Sequence, residues 1–153
     1  MDLDLFRALT RSDEATRVRV YDDATGKTLG QGDKIVGQPT IGIGRNIGRD
    51  GPGLREKEVE FLFANDVDYY PQQAALLPGW AECNPVRQTV LACMVFNMGL
   101  TRVLGFKQML DAVRRNDWPR AADEMLSSQW AGQVGARANR LANMMRYGVP
   151  INR

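Results

Sequence analysis

Three side chains in the first third of the chain have types suited to hydrolytic chemistry: Glu14, Asp23 and Thr40. Glu14 lies within TRSDEATRVRVYDD (10–23), between a stretch of helical spacing and one that alternates with a period of two. Asp23 ends the alternating stretch at its turn, and Thr40 begins a second β-type run, TIGIG (40–44). Junctions from three segments would direct these groups toward one groove. Cleavage of a glycosidic bond needs such a set, with one carboxylic acid protonating the leaving oxygen and a second carboxylate serving water or the oxocarbenium-like centre. Spacing alone does not decide for that chemistry, because acids nine positions apart are more often ordinary solvated groups.

Composition narrows the choice. The 153 residues include no histidine, which removes Ser/His/Asp hydrolases, Cys/His peptidases and His-based zinc hydrolases. Two cysteines, Cys83 and Cys93, cannot complete a four-ligand structural zinc site, and they fit free thiols in a reducing compartment. No cofactor and no metal is implied. Carboxylates, hydroxyls and arginines must then carry any catalysis.

The elements that would position these groups follow from periodicity. Leu3–Arg11 places Leu5, Phe6 and Leu9 on one helical face, with Asp2 or Asp4 available as cap. RVRVYD alternates and is followed by the turn-forming ATGK, GQGD and VGQP, so residues 17–44 read as a small antiparallel sheet. Leu54–Tyr70 is helical, with Pro71 expected to kink or end it. Asn84-Pro85 is a cap followed by proline at the first helical position, opening PVRQTVLACMVFNM, which Gly99 closes. That segment is apolar on nearly every side and is expected at the centre of a bundle. Helices are also expected over Gly105–Arg115, Asp117–Ser128 and Gly135–Tyr147, the last stopped by Gly148. The outline is one helix, a small antiparallel sheet and then a helical bundle: an α+β fold, mainly helical, with a cleft expected where sheet and bundle meet.

Net charge is +2, unevenly spread: residues 1–100 hold 11 basic against 14 acidic side chains, residues 101–153 hold 9 against 4. The basic third could steer toward an anionic polymer or be a set of solvated helix faces, and it lacks the interleaved aromatics of a nucleic-acid surface, so no nucleic-acid partner is expected. The longest apolar run, Val90–Phe96, is far short of the roughly 20 residues of a membrane helix. The acidic start MDLDLFRALTRSDE has neither the charge nor the apolar core of a signal peptide. No stable membrane insertion and synthesis in the cytoplasm are therefore expected.

DEATRVRVYDD with TIGIG resembles the active-site segment of the phage-type lysozymes. The similarity continues in register through LFANDVD (62–68), MVFNMG (94–99), GFKQML (105–110) and Trp130, Arg137 and Arg140, covering nearly the whole chain as one lysozyme domain. The resemblance implies a small antiparallel β-sheet lobe of about 14–60 and a helical bundle lobe of about 1–13 and 70–153, joined by a long helix with the active-site cleft between them. It implies a muramidase that hydrolyses the β-1,4 bond between N-acetylmuramic acid and N-acetylglucosamine in bacterial peptidoglycan, with inversion. Glu14 would be the general acid, its pKa raised by burial; Asp23 the ionised carboxylate; Thr40 the group that orients water. Arg137 matches an arginine near the catalytic glutamate, Phe96 a substrate-wall aromatic that reads equally well as core, and Asn97 a position where the family has glutamine. A monomer is expected, acting on the periplasmic wall after release from the host cytoplasm by a separate holin-type pore.

Departures from the family are informative. Sixteen residues separate Asp23 from Thr40, far more than the family commonly places there, and the excess is either a substrate-contacting excursion or a tolerated surface insertion. Arg45 stands where histidine is frequent and Asp66 matches its acidic partner, so an Arg45–Asp66 pair is expected. A silent glycan-binding module of a phage particle, a membrane-active cationic protein and a lytic transglycosylase are the competing functions.

Overall fold

The computed structural model of the protein describes residues 1, 3–13 and 16–151. Glu14 and the possible cap Asp2 lie outside the described residues. Two units divide the chain, Met1–Phe61 and Leu62–Arg153. The architecture is α+β and mainly helical, with the small antiparallel sheet in the first unit and the helical bundle in the second.

The first unit opens with α1 (Leu3–Asp13), which carries Asp4 in its first turn and Arg11 in its last, both matched to the helix dipole. It belongs to the same unit as the sheet, whereas the lobe boundaries expected from sequence grouped 1–13 with the helices. Strands β1 (Thr16–Asp22), β2 (Pro39–Ile43) and β3 (Arg45–Asn46) form a sheet in the order β1-β2-β3, antiparallel throughout. The third strand was not expected; at two residues it is too short to show alternation. Arg17 faces Gly42 but Tyr21 faces Thr40, so β1 takes up two extra residues between these pairs. That irregularity brings Asp22 opposite Pro39, at the end of the sheet. Gly44, at φ 66°, makes the tight return from β2 to β3, a left-handed conformation that favours glycine.

Helix α2 (Glu56–Ala74) leaves the first unit and continues into the second. Pro71 lies inside it and does not end it: the Ala75 N–H still reaches the Pro71 carbonyl at 2.9 Å. Proline removes one donor but leaves its own carbonyl free to accept, and Ala74 and Leu77 beyond it are buried, which keeps the chain on course.

The second unit packs around α3 (Pro85–Met98), whose Val90, Leu91, Met94 and Val95 are fully buried. Asn84 caps it as expected, accepting the Arg87 N–H at 3.0 Å, and Gly99 ends it at φ 82°. Five further helices follow: α4 (Leu100–Leu104), α5 (Lys107–Arg114), α6 (Trp118–Leu126), α7 (Gln129–Val134) and α8 (Ala136–Tyr147). The short α4 and α7 were not expected, since one turn and a half carries no periodic signal. Met109, Ala112, Val113, Ala121, Met125, Leu141 and Met145 complete the core. Cys83 is buried and Cys93 half-buried, both free thiols; burial pushes the Cys83 thiol up to about 11, with Arg87 opposing.

Asn84 and Arg87 also tie the start of α3 to the end of α8. Asn84 Nδ2 donates to the Gly148 carbonyl at 2.9 Å, and Arg87 Nε and Nη2 donate to the carbonyls of Met145 and Arg146 at 2.7 and 3.2 Å. The guanidinium lies 4.1 Å over the Trp118 ring. These donors satisfy carbonyls that the last turn of a helix leaves without partners. Asn84→Ala removes both the cap and the tie, and should lower unfolding free energy by about 1–2 kcal/mol in urea titrations. Asn139→Ala, at an exposed position of α8, should change it by less than about 0.5 kcal/mol.

Candidate functional site

The end of β1 is built from its own carboxylate outward. Asp22 is buried although ionisable, and its oxygens collect backbone donors: Ala24 N–H and Gly37 N–H on Oδ1 at 3.0 and 3.1 Å, Val36 N–H on Oδ2 at 2.6 Å. Its main chain continues the pattern, with the Asp22 N–H on the Lys27 carbonyl at 2.9 Å and the Gly26 N–H on the Asp22 carbonyl at 2.8 Å. The sixteen-residue excursion between Asp23 and Thr40 is thus an ordered loop. Its outbound leg pairs along β1 through Tyr21 and Thr28, and its return is held by Asp22. A second carboxylate, Asp33, anchors the outer turn by accepting from Lys27 Nζ and the Gly30 N–H, each at 2.8 Å.

Asp23 and Thr40 meet at the backbone of one residue, Gln38. The Gln38 N–H donates to Asp23 Oδ1 at 2.7 Å. The Gln38 carbonyl accepts from the Asp23 N–H at 3.1 Å and from Thr40 Oγ1 at 3.2 Å. Asp23 is exposed and Thr40 buried. Close approach is possible because residue 37 is glycine: a Cβ there would collide with the Asp23 carboxylate and with Ala24. Two of the three expected catalytic side chains are therefore brought together by the backbone. Glu14, the third, lies outside the described residues.

Arg45, on β3, finds a carboxylate within its own unit. Its Nη1 lies 2.6 Å from Glu58 Oε1 and its Nε donates to the Gly53 carbonyl at 2.8 Å. Glu58 also accepts the Arg55 N–H at 2.7 Å, closing the first turn of α2 as a capping residue. The expected partner Asp66 belongs to the second unit, and the cation of Arg45 is matched without it. Glu58 went unnoticed in the sequence; its place three residues after Arg55 at a helix start was the available signal.

In the second unit Asp66, Phe96 and Arg137 line one groove of about 840 Å³, together with Tyr70, Trp80 and Arg140. Phe96 is 45% exposed, which removes the reading of it as core, and it meets Tyr70 edge to face at 4.9 Å between centroids. Asn97 accepts the Trp130 indole N–H at 2.8 Å, so its short amide holds a buried tryptophan in place. Trp130 in turn borders a polar hollow of about 690 Å³ lined by Lys107, Gln108, Glu124 and Gln133. Among the described residues no cluster of three metal-ligating side chains occurs, and no helix is long and apolar enough to cross a membrane.

Comparison with known proteins adds ancestry to this geometry. No protein-family model matches the chain. The chain is similar to the pre-baseplate central spike protein Gp5 of Enterobacteria phage T4, at 30% identity over 94% of this chain, but it spans only 29% of that protein's length. It is also similar to probable T4-type lysozymes 1 and 2 of Dictyostelium discoideum, at 26% identity with 92% of both partners covered. These relatives support a T4-lysozyme-like relationship.

The buried anchor has a pH signature. Backbone N–H donors, that of Val36 first, hold the Asp22 carboxyl below its ordinary value of 3.8 against the opposing effect of burial, and Lys27 does the same for Asp33. A carboxyl whose pKa is lower folded than unfolded stabilises fully above its unfolded value and stops doing so as pH falls through its folded value. Carbon-detected titration should find Asp22 and Asp33 protonating below 3.8, and exchange of the Val36 amide should accelerate over the same interval as pH falls.

Proposed function

We propose that the protein is a peptidoglycan hydrolase, a muramidase that cleaves the β-1,4 bond between N-acetylmuramic acid and N-acetylglucosamine. The observation that carries this reading is the Gln38 backbone, whose N–H binds the carboxylate of Asp23 and whose carbonyl binds the hydroxyl of Thr40, on a chain whose similarity to T4-type lysozymes runs along nearly its whole length. In the proposed reaction Glu14 protonates the glycosidic oxygen, which requires its acid form to persist near neutral pH.

Thr40 spends its proton on the Gln38 carbonyl, so its buried oxygen is left with lone pairs to offer. It then orients a water by accepting one of that water's hydrogens. Asp23 supplies the adjacent negative charge, taking the water's other proton as attack proceeds or balancing the oxocarbenium-like centre. An inverting course follows if the Glu14 and Asp23 carboxyls stand roughly 6.5–9.5 Å apart, leaving room for that water. Phe96, Asn97 and Arg137 are proposed as supporting residues: an aromatic surface for a sugar ring, a brace for Trp130, and a cation that orients Glu14.

The relation to a phage spike protein favours one second reading, a wall-binding module of a phage particle. The two differ in turnover. On the first reading the protein acts as an endolysin on the periplasmic wall, released by a separate holin-type pore.

Purified protein should release reducing ends from isolated peptidoglycan. Glu14→Gln should lower that rate by more than about 100-fold, and Asp23→Asn by a comparable factor, with thermal unfolding unchanged. Product masses should include the added water of hydrolysis; anhydro-sugar ends would identify a transglycosylase, and binding without release would select the silent module.

A further inference from the structure

The aspartate pair at the end of β1 divides into two tasks. Asp23 is exposed and bonded to the Gln38 N–H, whereas its neighbour Asp22 faces inward and is buried. The targets of Asp22 at long range are the N–H groups of Val36 and Gly37, the two residues immediately before Gln38. A link therefore runs from the Asp22 carboxylate to the backbone at 36 and 37, on to the N–H and carbonyl of Gln38, and from there to Asp23 and Thr40. We infer that Asp22 is a positioning residue for the reaction: by fixing the returning end of the insertion it sets the Gln38 backbone, and through it the separation and orientation of Asp23 and Thr40. The inference rests on the muramidase reading and adds to it a residue that touches neither substrate nor water.

Three features make the link a fixed one. Both oxygens of Asp22 are used, which leaves its carboxylate a single orientation. Gly37 admits no Cβ against Asp23, so the returning chain is seated as close as a backbone can be. The Thr40 hydroxyl and the Asp23 N–H share one carbonyl, so a shift of the Gln38 peptide moves both partners together. The insertion also carries a separate anchor, Asp33, whose bonds to Lys27 and Gly30 stabilise the outer turn and do not reach Gln38. The loop thereby contains its own control.

The test compares the full-length wild type with Asp22→Asn, Gly37→Ala and Asp33→Asn. It measures kcat and KM for reducing-end release from purified peptidoglycan and exchange of the Gln38 amide proton. In Asp22→Asn the side chain keeps its shape but turns an NH2 group toward an N–H donor, which breaks one end of the clamp. The expected result is a fall in kcat of roughly 100-fold, the scale of a displaced catalytic group, with faster Gln38 exchange. KM should stay within about twofold, because ground-state binding is untouched. Asp33→Asn should leave both kcat and Gln38 exchange as in the wild type.

Full kcat in Asp22→Asn overturns the inference, as does a loss of kcat with the Gln38 amide still protected. Equal losses in Asp22→Asn and Asp33→Asn overturn it too, by reducing the effect to general loop order. Should Asp22→Asn fail to fold, Gly37→Ala decides: reduced kcat in a folded protein supports the link, and unchanged kcat refutes it. A wild type that releases no reducing ends is a different outcome, since it removes the muramidase reading itself.

Discussion

A carboxylate that enters a protein interior must be met by donors, and around Asp22 the donors are backbone N–H groups that nothing else in the loop supplies with acceptors. The requirement works in both directions. Asp22 is stable inside because residues 24, 36 and 37 turn toward it, and those residues are held because an acceptor with two oxygens waits at the strand end. Closing a loop of this length costs little more entropy than closing a short one, but entropy alone sets no particular geometry. The clamp supplies it, and β2 then begins in the register that puts Thr40 opposite Tyr21.

Much of this molecule was legible in its sequence because much of it is local. Asn84, Pro85 and Gly99 mark the ends of α3 by chemistry that acts within one turn, and the structure places those ends where the residues require. Period-two alternation from Arg17 and the TIGIG run located β1 and β2. Of the two outcomes expected at Pro71, a kink or an end, the end does not occur: one missing N–H was outweighed by apolar burial at Ala74 and Leu77. The helices α4 and α7, at five and six residues, fall below the length at which a 3.6-residue period can be told from chance.

The site was legible by residue type and less so by architecture. Asp23 and Thr40 stood out by residue type, but the backbone that both of them bond belongs to Gln38, whose side chain gives no hint of it. Asp22 was overlooked beside Asp23 because adjacent acids look alike in a sequence, and only a partner fourteen residues away separates a buried anchor from its exposed neighbour. Arg45 illustrates the same limit. Its cation could choose among several carboxylates, and Glu58, already fixed at a helix start, presents the one preorganised at lowest entropic cost.

The direction of one proton ties the geometry to the reaction proposed for it. A threonine hydroxyl has a single hydrogen, and here it points to a carbonyl that cannot donate in return. Thr40 is left as an acceptor, and Asp23, when ionised, is one as well. On the proposed reading, these two acceptors would hold a water by both of its hydrogens where it reaches the buried Thr40, and direct its lone pair outward, the orientation a nucleophilic water must take. A transglycosylase, which closes the sugar on itself and expels no such water, has no use for paired acceptors. On the proposed reading, the direction of the Thr40 hydrogen bond, fixed by a backbone carbonyl, suits hydrolysis, which consumes a water, better than intramolecular transfer, which uses none.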